Sequence, residues 1–172
     1  VVLAVSGAGI YRSTDSGEQW RRLRGGLPEG QASNWVVVFS PNYASDRTIF
    51  AAGDRDEAWG EGVWRSTDGG DHWQAGWTDL VHRRIEDIYL APAFASNAAD
   101  PADQTLVVQA AYNNVLTSQS GESYQQSTDG GLSWSIVATT TSGVEPSALP
   151  PISELLPGYR AAPQLPVRIG DL

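Results

Sequence analysis

The segment from residue 54 to residue 62 concentrates side chains that can bind or cleave a sugar. It reads Asp54-Arg55-Asp56-Glu57-Ala58-Trp59-Gly60-Glu61-Gly62. An indole ring stacks on the apolar face of a sugar, while carboxylates and a guanidinium form charge-assisted hydrogen bonds with its polar groups. Glycoside hydrolysis needs two carboxylates about 5 to 10 Å apart. Asp54, Asp56, Glu57 and Glu61 can supply such a pair, but the sequence does not mark which two. A solvated, charge-balanced loop has the same composition.

A second segment of this character follows between residues 77 and 84. It holds Asp79 and contributes Trp77, His82, Arg83 and Arg84 to the candidate ligand-binding set. The other histidine of the chain, His72, stands alone, and two isolated histidines do not make a zinc site, so we expect no metal and no cofactor. Residues 113–123 are polar and carry a single charge, on Glu122, which makes them a weaker candidate.

Three octets with the pattern Ser-Thr-Asp-x-Gly-x-x-Trp carry aspartates that invite a catalytic or calcium-binding interpretation. They span residues 13–20, 66–73 and 127–134. Calcium takes six or more oxygen ligands, so one carboxylate per turn is too few. We therefore expect Asp15, Asp68 and Asp129 to accept hydrogen bonds from turn N–H groups. We also expect positive φ at the octet glycine and a buried ring on the octet tryptophan, which begins an outer strand. The structural set is Ser13, Asp15, Gly17, Trp20, Ser66, Asp68, Gly70, Trp73, Ser127, Asp129, Gly131 and Trp134.

The octets belong to a longer repeat of short strands. In the second unit the predicted strands are 35–40, 48–53, 62–66 and 73–76, each rich in Val, Ile, Phe or Trp and bounded by turn residues. Four antiparallel strands in about 50 residues are typical of a β-propeller blade. We predict an all-β chain of about three blades, an incomplete ring, with a Pro-rich C-terminal tail. The predicted units are a partial blade (1–32), two blades (33–81 and 82–141) and the tail (142–172).

The octets resemble the Asp-box, or BNR, repeat of sialidases, sortilin-type receptors, xyloglucanase-type glycosidases and photosystem-assembly propellers. The resemblance covers residues 1 to about 141 and implies the propeller fold rather than one activity, since the same box occurs in enzymes, receptors and assembly factors. In such blades the 1–2 and 3–4 hairpins share one face and the other connections share the opposite face, where ligands usually bind. A sialidase-like site would need three clustered arginines, and its usual Arg-Ile-Pro lead-in is absent, since Arg168-Ile169 is followed by Gly170.

Charge and composition exclude several classes of binding partner and of chemistry. The net charge of −9 argues against nucleic acid and against anionic membranes. The chain has no cysteine, which excludes disulfides and thiol catalysis, and no apolar run long enough to span a membrane. It opens on Val1 without methionine, so we expect a removed targeting segment or a longer protein, and a secreted or extracytoplasmic location.

Two full units and one partial unit cannot close a ring, because known propellers have about four to eight blades. We expect the open ends to expose an apolar blade face, to be covered by further blades of a longer chain or by other subunits. The tail from residue 142, interrupted by six prolines, predicts an extended arm or linker. Three functions stay open: a non-catalytic scaffold that binds a protein or glycan, a fragment of a glycosidase-type propeller enzyme, and an assembly factor or subunit of a larger complex.

Overall fold

The computed structural model shows an all-β chain built from three antiparallel sheets packed face to face. It describes residues 1–27, 34–54, 62–76, 80, 84–114, 118–144 and 148–160. Within these ranges no helix is long and apolar enough to cross a membrane. The sheets do not close into a ring, and each sheet runs up and down in chain order, which is the topology of a propeller blade.

Sheet one has three strands in the order β1-β2-β3. They are β1 (Val2–Ser6), β2 (Gly9–Ser13) and β3 (Arg21–Arg22). A tight turn joins the first two strands, and the first octet joins the second and third.

Sheet two has the four strands that the repeat predicts. They are β4 (Asn34–Phe39), β5 (Ile49–Asp54), β6 (Val63–Ser66) and β7 (Gln74–Gly76), paired in that order. The connection from β4 to β5 holds the one-turn helix α1 (Tyr43–Asp46). Ser40 Oγ donates to the Asp46 carboxylate at 2.7 Å, and the same carboxylate accepts the Thr48 N–H at 2.9 Å, which holds this connection in shape.

Sheet three repeats the arrangement with longer strands. They are β8 (Arg84–Leu90), β9 (Leu106–Asn114), β10 (Gln119–Ser127) and β11 (Ser135–Thr139). The inserted residues between β8 and β9 include a 3-10 helix (Pro101–Gln104), capped by the Asp100 carboxylate, which accepts the Ala102 N–H at 2.9 Å. The register shifts once within β8 and once within β10.

Successive side chains along the strands of sheet two point to opposite faces, so the stack has a core on each side of this sheet. Ile49, Ala51 and Trp64 are buried against sheet one, together with Ile10 and Leu23 of that sheet. Phe50, Ala52 and Val63 point the other way and pack with the aliphatic residues of sheet three. Side chains of a strand alternate between faces, so one sheet serves both cores.

The tail is not an extended arm between residues 148 and 160. It contains the short helix α2 (Ile152–Leu155), and Leu156 is 2% exposed within the core of sheet three. The Tyr159 ring lies edge-on against that of Tyr89, with centroids 5.5 Å apart. The expectation of a linker was wrong here because five apolar side chains of the segment (Leu149, Ile152, Leu155, Leu156 and Tyr159) pack on sheet three.

This packing also corrects the expectation that both ends of the stack expose an apolar face. On sheet three, the face turned away from sheet two carries Tyr89, Val107 and Tyr124, and Val107 is fully buried. Residues 148–160 cover it. We call this segment the cover segment.

Candidate functional site

The strand ends that flank the candidate ligand segments lie at one edge of the sheets. β5 ends at Asp54 and β6 begins at Val63, while β7 ends at Gly76 and β8 begins at Arg84. We call this end of the strands the ligand edge. The octets begin at Ser13, Ser66 and Ser127, which end β2, β6 and β10 at the opposite edge, the octet edge. The hairpin order of a four-stranded sheet accounts for this separation.

Most of the predicted ligand-binding residues lie outside the described residues. For Asp54 the structure gives only the backbone, at the end of β5. The predicted residues that lie wholly outside the described ranges are Arg55, Asp56, Glu57, Trp59, Glu61, Trp77, His82 and Arg83. Their part in the site remains a prediction. Arg84 is described: its side chain is exposed at the start of β8, and its Nε lies 3.1 Å from Glu86 Oε1. Glu86 was not predicted as part of the site.

A hydrogen-bonded row crosses the middle of sheet three, between the ligand edge and the octet edge. The Tyr89 hydroxyl donates to Gln109 Oε1 at 3.1 Å, and Gln109 Nε2 donates to Glu122 Oε2 at 3.1 Å. In the strand register Gln109 of β9 pairs with Asp87 of β8 and with Tyr124 of β10. Burial and then the negative charge of Asp87 raise the pKa of Tyr89 above its ordinary value. A tyrosine hydroxyl is protonated at neutral pH even at its ordinary pKa, and the raised pKa keeps Tyr89 a hydrogen-bond donor to higher pH.

Sequence reasoning missed this row, although a signal was present. In Arg84-Ile85-Glu86-Asp87-Ile88-Tyr89-Leu90, polar residues stand between Ile85, Ile88 and Leu90, which are buried. Such a strand presents its polar side chains on the face opposite the core. That face is the one beneath the cover segment.

Described residues near the ligand edge (Arg84, Glu86) and further into sheet three (Gln109, Glu122) carry charged and amide groups suited to hydrogen bonding. Arg84, Glu86 and Glu122 are exposed, and Gln109 is half-buried between strands. In the described ranges, no three His, Cys, Asp or Glu side chains are arranged to hold a metal ion. These groups can hydrogen-bond the hydroxyls of a sugar or the backbone of a peptide.

The octet carboxylates are occupied by their own turns. Asp68 Oδ1 accepts the N–H groups of Asp71 and His72 at 2.9 and 3.0 Å. Asp129 Oδ1 does the same with Leu132 and Ser133, both at 3.0 Å, and Asp15 Oδ1 accepts the Gln19 N–H at 3.0 Å.

The octet serine is the second anchor of each turn. Ser13, Ser66 and Ser127 each donate the hydroxyl to the octet carboxylate at 2.7 to 2.8 Å. Each hydroxyl oxygen also accepts the N–H of the octet glycine at 2.8 Å. Gly17, Gly70 and Gly131 have φ of 101°, 96° and 90°, the region that favours glycine.

These hydrogen bonds control the ionisation of the octet aspartates. Burial raises the pKa of Asp68, but the hydrogen bonds from His72, Ser66 and Asp71 outweigh it and hold the pKa well below its ordinary value. At Asp129 burial is likewise outweighed by hydrogen bonds from Ser133, Ser127 and Leu132, so its pKa is also lowered. The hydrogen bond from the Gln19 backbone lowers the pKa of Asp15. His72, 87% exposed, places Nδ1 2.7 Å from Asp68 Oδ2.

The octets also join neighbouring sheets. Arg12 of sheet one donates to the Gly69 carbonyl of the second octet, and Arg65 of sheet two donates to the Gly130 carbonyl of the third at 3.1 Å. Trp134 Nε1 donates across the same boundary to the Gly76 carbonyl at 3.1 Å. A Cβ on Gly76 would overlap the Gly131 carbonyl, so only glycine permits this approach.

The prediction that all three octet tryptophans are buried is wrong for Trp20. Trp73 and Trp134 are 7% and 4% exposed, whereas Trp20 is 36% exposed. The later octets rest on a preceding sheet: Trp73 N donates to the Gly25 carbonyl at 2.6 Å, as Trp134 Nε1 does to Gly76. No described sheet precedes the first octet, so the ring of Trp20 is left partly in solvent.

Two solved structures of a glycosidase are similar to part of this chain. Both are of the α-L-arabinofuranosidase Arb93A from Fusarium graminearum with an iminosugar inhibitor, one of them a mutant. The identity is 17% and the TM-score 0.41 in each case, over 62% and 64% of this chain. The chain spans about a third of the length of those structures (30% and 32%). No protein-family model and no curated protein matches the chain.

Proposed function

We propose that this chain is part of a non-catalytic propeller scaffold that presents a binding surface for a glycan or protein partner at its ligand edge. In this proposal the octets are Asp boxes with a purely structural role. The residues proposed to contact the partner are Asp54, Arg55, Asp56, Glu57, Trp59, Glu61, Trp77, His82, Arg83 and Arg84.

The engagement of each octet carboxylate in its own turn is the observation that supports a scaffold. Asp15, Asp68 and Asp129 are the only acidic residues that recur in every unit, and each is committed to the N–H groups of its own turn. A carboxylate that accepts hydrogen bonds from its own turn, and whose pKa is lowered by them, is a poor general acid. The recurring acidic residues therefore serve the fold, which leaves recognition to the ligand edge.

The chemistry at the ligand edge favours a polar, uncharged or mixed-charge partner. The net charge of −9 opposes polyanions such as nucleic acid. Arg84 and Glu86 already neutralise one another at 3.1 Å, so this part of the edge offers directional hydrogen bonds rather than a strong field. Glycans outside the cytoplasm fit this chemistry and agree with the proposed extracytoplasmic location.

A glycan array tests the proposal, with the exposed tryptophan at the other edge as a matched control. We expect Trp59→Ala and Trp77→Ala each to weaken binding about tenfold, roughly 1.4 kcal/mol, by removing a stacking platform. Trp20→Ala should leave binding unchanged, because Trp20 lies in an octet at the opposite edge. Equal binding by all three variants would show that the stacking surface is wrongly placed.

The hydrolase alternative is decided by turnover. If the chain belongs to a glycosidase-type propeller, it should cleave aryl glycosides, an α-L-arabinofuranoside among them. The triple variant Asp56→Asn, Glu57→Gln, Glu61→Gln should then abolish cleavage, because it removes the acid and the nucleophile or base. Cleavage that is lost in the triple variant supports the hydrolase alternative, and cleavage that survives the triple change places the site elsewhere.

A further inference from the structure

The two boundaries between sheets use one set of contacts. In each, an arginine directly before the octet serine of one sheet donates to the carbonyl of the residue after the octet aspartate in the next: Arg12 to Gly69 and Arg65 to Gly130. In each, the octet tryptophan of the later sheet is buried.

The first octet has the same turn and the same tryptophan, but no described sheet packs against them. Its tryptophan, Trp20, is 36% exposed, and its Ser16, which corresponds to Gly69 and Gly130, already has the left-handed φ of 66° that those residues have. The turn is built as in the other two octets, with Asp15 bound to Ser13 and Gln19. The first octet is therefore pre-formed to receive a sheet.

An acidic side chain defines what kind of sheet fits. In the second octet, Asp71 lies 3.0 Å from Arg12 and also contacts Arg21, both from sheet one. Glu18 occupies the position of Asp71 in the first octet and is exposed. Within the described part of the chain it has no ion pair of its own. A docking sheet with arginines at the positions of Arg12 and Arg21 would form ion pairs with Glu18.

Sheet three of a second copy does not meet this requirement. The residues at those two positions are Gln126 and Ser135, which carry no charge. The face it would have to offer lies under the cover segment, where Leu156 is 2% exposed. In a head-to-tail association of identical chains, the cover segment would have to leave sheet three, which would expose its own apolar side chains. No ion pair with Glu18 would form in return.

We infer that the surface formed by Glu18, Trp20 and the Ser16 carbonyl docks one further antiparallel sheet of the same repeat, distinguished by an arginine directly before its octet serine. The partner is a repeat sheet that resembles sheet one rather than sheet three. At the other end of the stack, side chains of the cover segment occupy the face of sheet three. The inference is independent of the proposed ligand edge.

The test adds such a sheet in register. Residues 34–104 are placed directly ahead of Val1, because Val2 pairs with Ser13 as Leu106 pairs with Ser127, which makes Val1 the equivalent of Thr105. The added copy contains Arg65 before its octet serine. Gln74→Arg in that copy supplies the second arginine, at the position of Arg21. Thermal unfolding is measured for this tandem chain and for the original chain.

In the tandem chain we expect Trp20→Ala and Glu18→Gln each to lower Tm by several degrees. In the original chain Glu18→Gln should change Tm by about a degree or less, because Glu18 is exposed there, and Trp20→Ala should lower Tm clearly less than in the tandem chain, because its ring is 36% exposed. The matched control is a tandem chain whose added copy keeps Gln74 and carries Arg65→Gln, so that it offers neither arginine. This control should abolish the effect of Glu18→Gln while sparing that of Trp20→Ala.

Three results would overturn the inference. The first is that both substitutions have equal effects in the tandem and original chains. The second is a tandem chain that does not fold, since a sheet that fits must stabilise its neighbour. The third is an original chain that forms a stable oligomer dissociated by Glu18→Arg, because the occupant would then be a second copy.

Discussion

At the scale of single residues, the octet aspartate holds its turn together with the octet serine. Asp129 accepts two backbone N–H groups and the hydroxyl of Ser127, and no other described side chain substitutes for it. We predict that Asp129→Ala lowers the free energy of unfolding by about 1–3 kcal/mol, because it leaves these donors unpaired. Urea unfolding measures the change.

The matched control for this substitution is Glu154→Ala, which removes an exposed carboxylate far from any octet. It should change the free energy of unfolding by less than about 0.5 kcal/mol. Equal effects of the two substitutions would mean that the octet carboxylate contributes nothing specific.

The lowered pKa values of the octet aspartates predict a defined acid response. A group whose folded pKa lies below its unfolded value contributes stability above the unfolded pKa, near 3.8 for Asp, and loses it as pH falls through the folded pKa. Stability should therefore be flat from neutral pH to about pH 5 and fall steadily below about pH 4.

The triple variant Asp15→Asn, Asp68→Asn, Asp129→Asn isolates this charge effect, since asparagine keeps an acceptor oxygen. We expect it to be less stable at pH 7 and to show a shallower decline below about pH 4, measured by chemical unfolding at each pH. An unchanged slope would show that other carboxylates govern acid unfolding.

At the scale of elements, the cover segment replaces a neighbouring sheet. Leu156 is almost fully buried, and Tyr159 packs edge-on against Tyr89. We predict that Leu156→Ala costs about 2–4 kcal/mol of unfolding free energy and that it increases the binding of a hydrophobic dye, because the face of sheet three becomes accessible.

Ser153→Ala, at an exposed position of helix α2 in the same segment, is the control for the cover segment and should change neither property. If Leu156→Ala were as stable as the original chain, residues 148–160 would not be a structural part of sheet three in solution.

At the scale of the whole molecule, sheet two couples its neighbours. Phe50 is fully buried, stacks edge-on with Phe94 of the third unit at 5.4 Å, and lies on a strand whose next residue, Ala51, faces sheet one. Isolated sheets of this size are marginally stable, so we expect one cooperative unfolding transition. Phe50→Ala should lower its midpoint for the entire chain, as near-ultraviolet and far-ultraviolet circular dichroism will show.

Two separate transitions in the Phe50→Ala variant would contradict this expectation, because sheet one would then fold without support from sheet three. Phe39→Ala, at a side chain that is 37% exposed, is the control and should keep a single transition near the original midpoint.

Much of the fold is local and was therefore accessible from the sequence. The octet pattern predicts the turn because its serine, aspartate and glycine act within a few residues of one another, as the hydrogen bonds of Ser66 and Asp68 show. The four strands of sheet two lie within a residue or two of their predicted bounds, since runs of Val, Ile and Trp between turn residues define a strand with little help from elsewhere.

What the sequence by itself determined is thus the all-β class, the repeating sheets and the structural use of their aspartates. Only the tertiary structure decided that Trp20 is partly in solvent while Trp73 and Trp134 are buried, since all three stand in the same motif. It also decided that the tail covers sheet three, because burial of Leu156 depends on a face built from strands that lie much earlier in the chain. Local patterns encode the turns and strands, whereas burial depends on which sheet lies next to which.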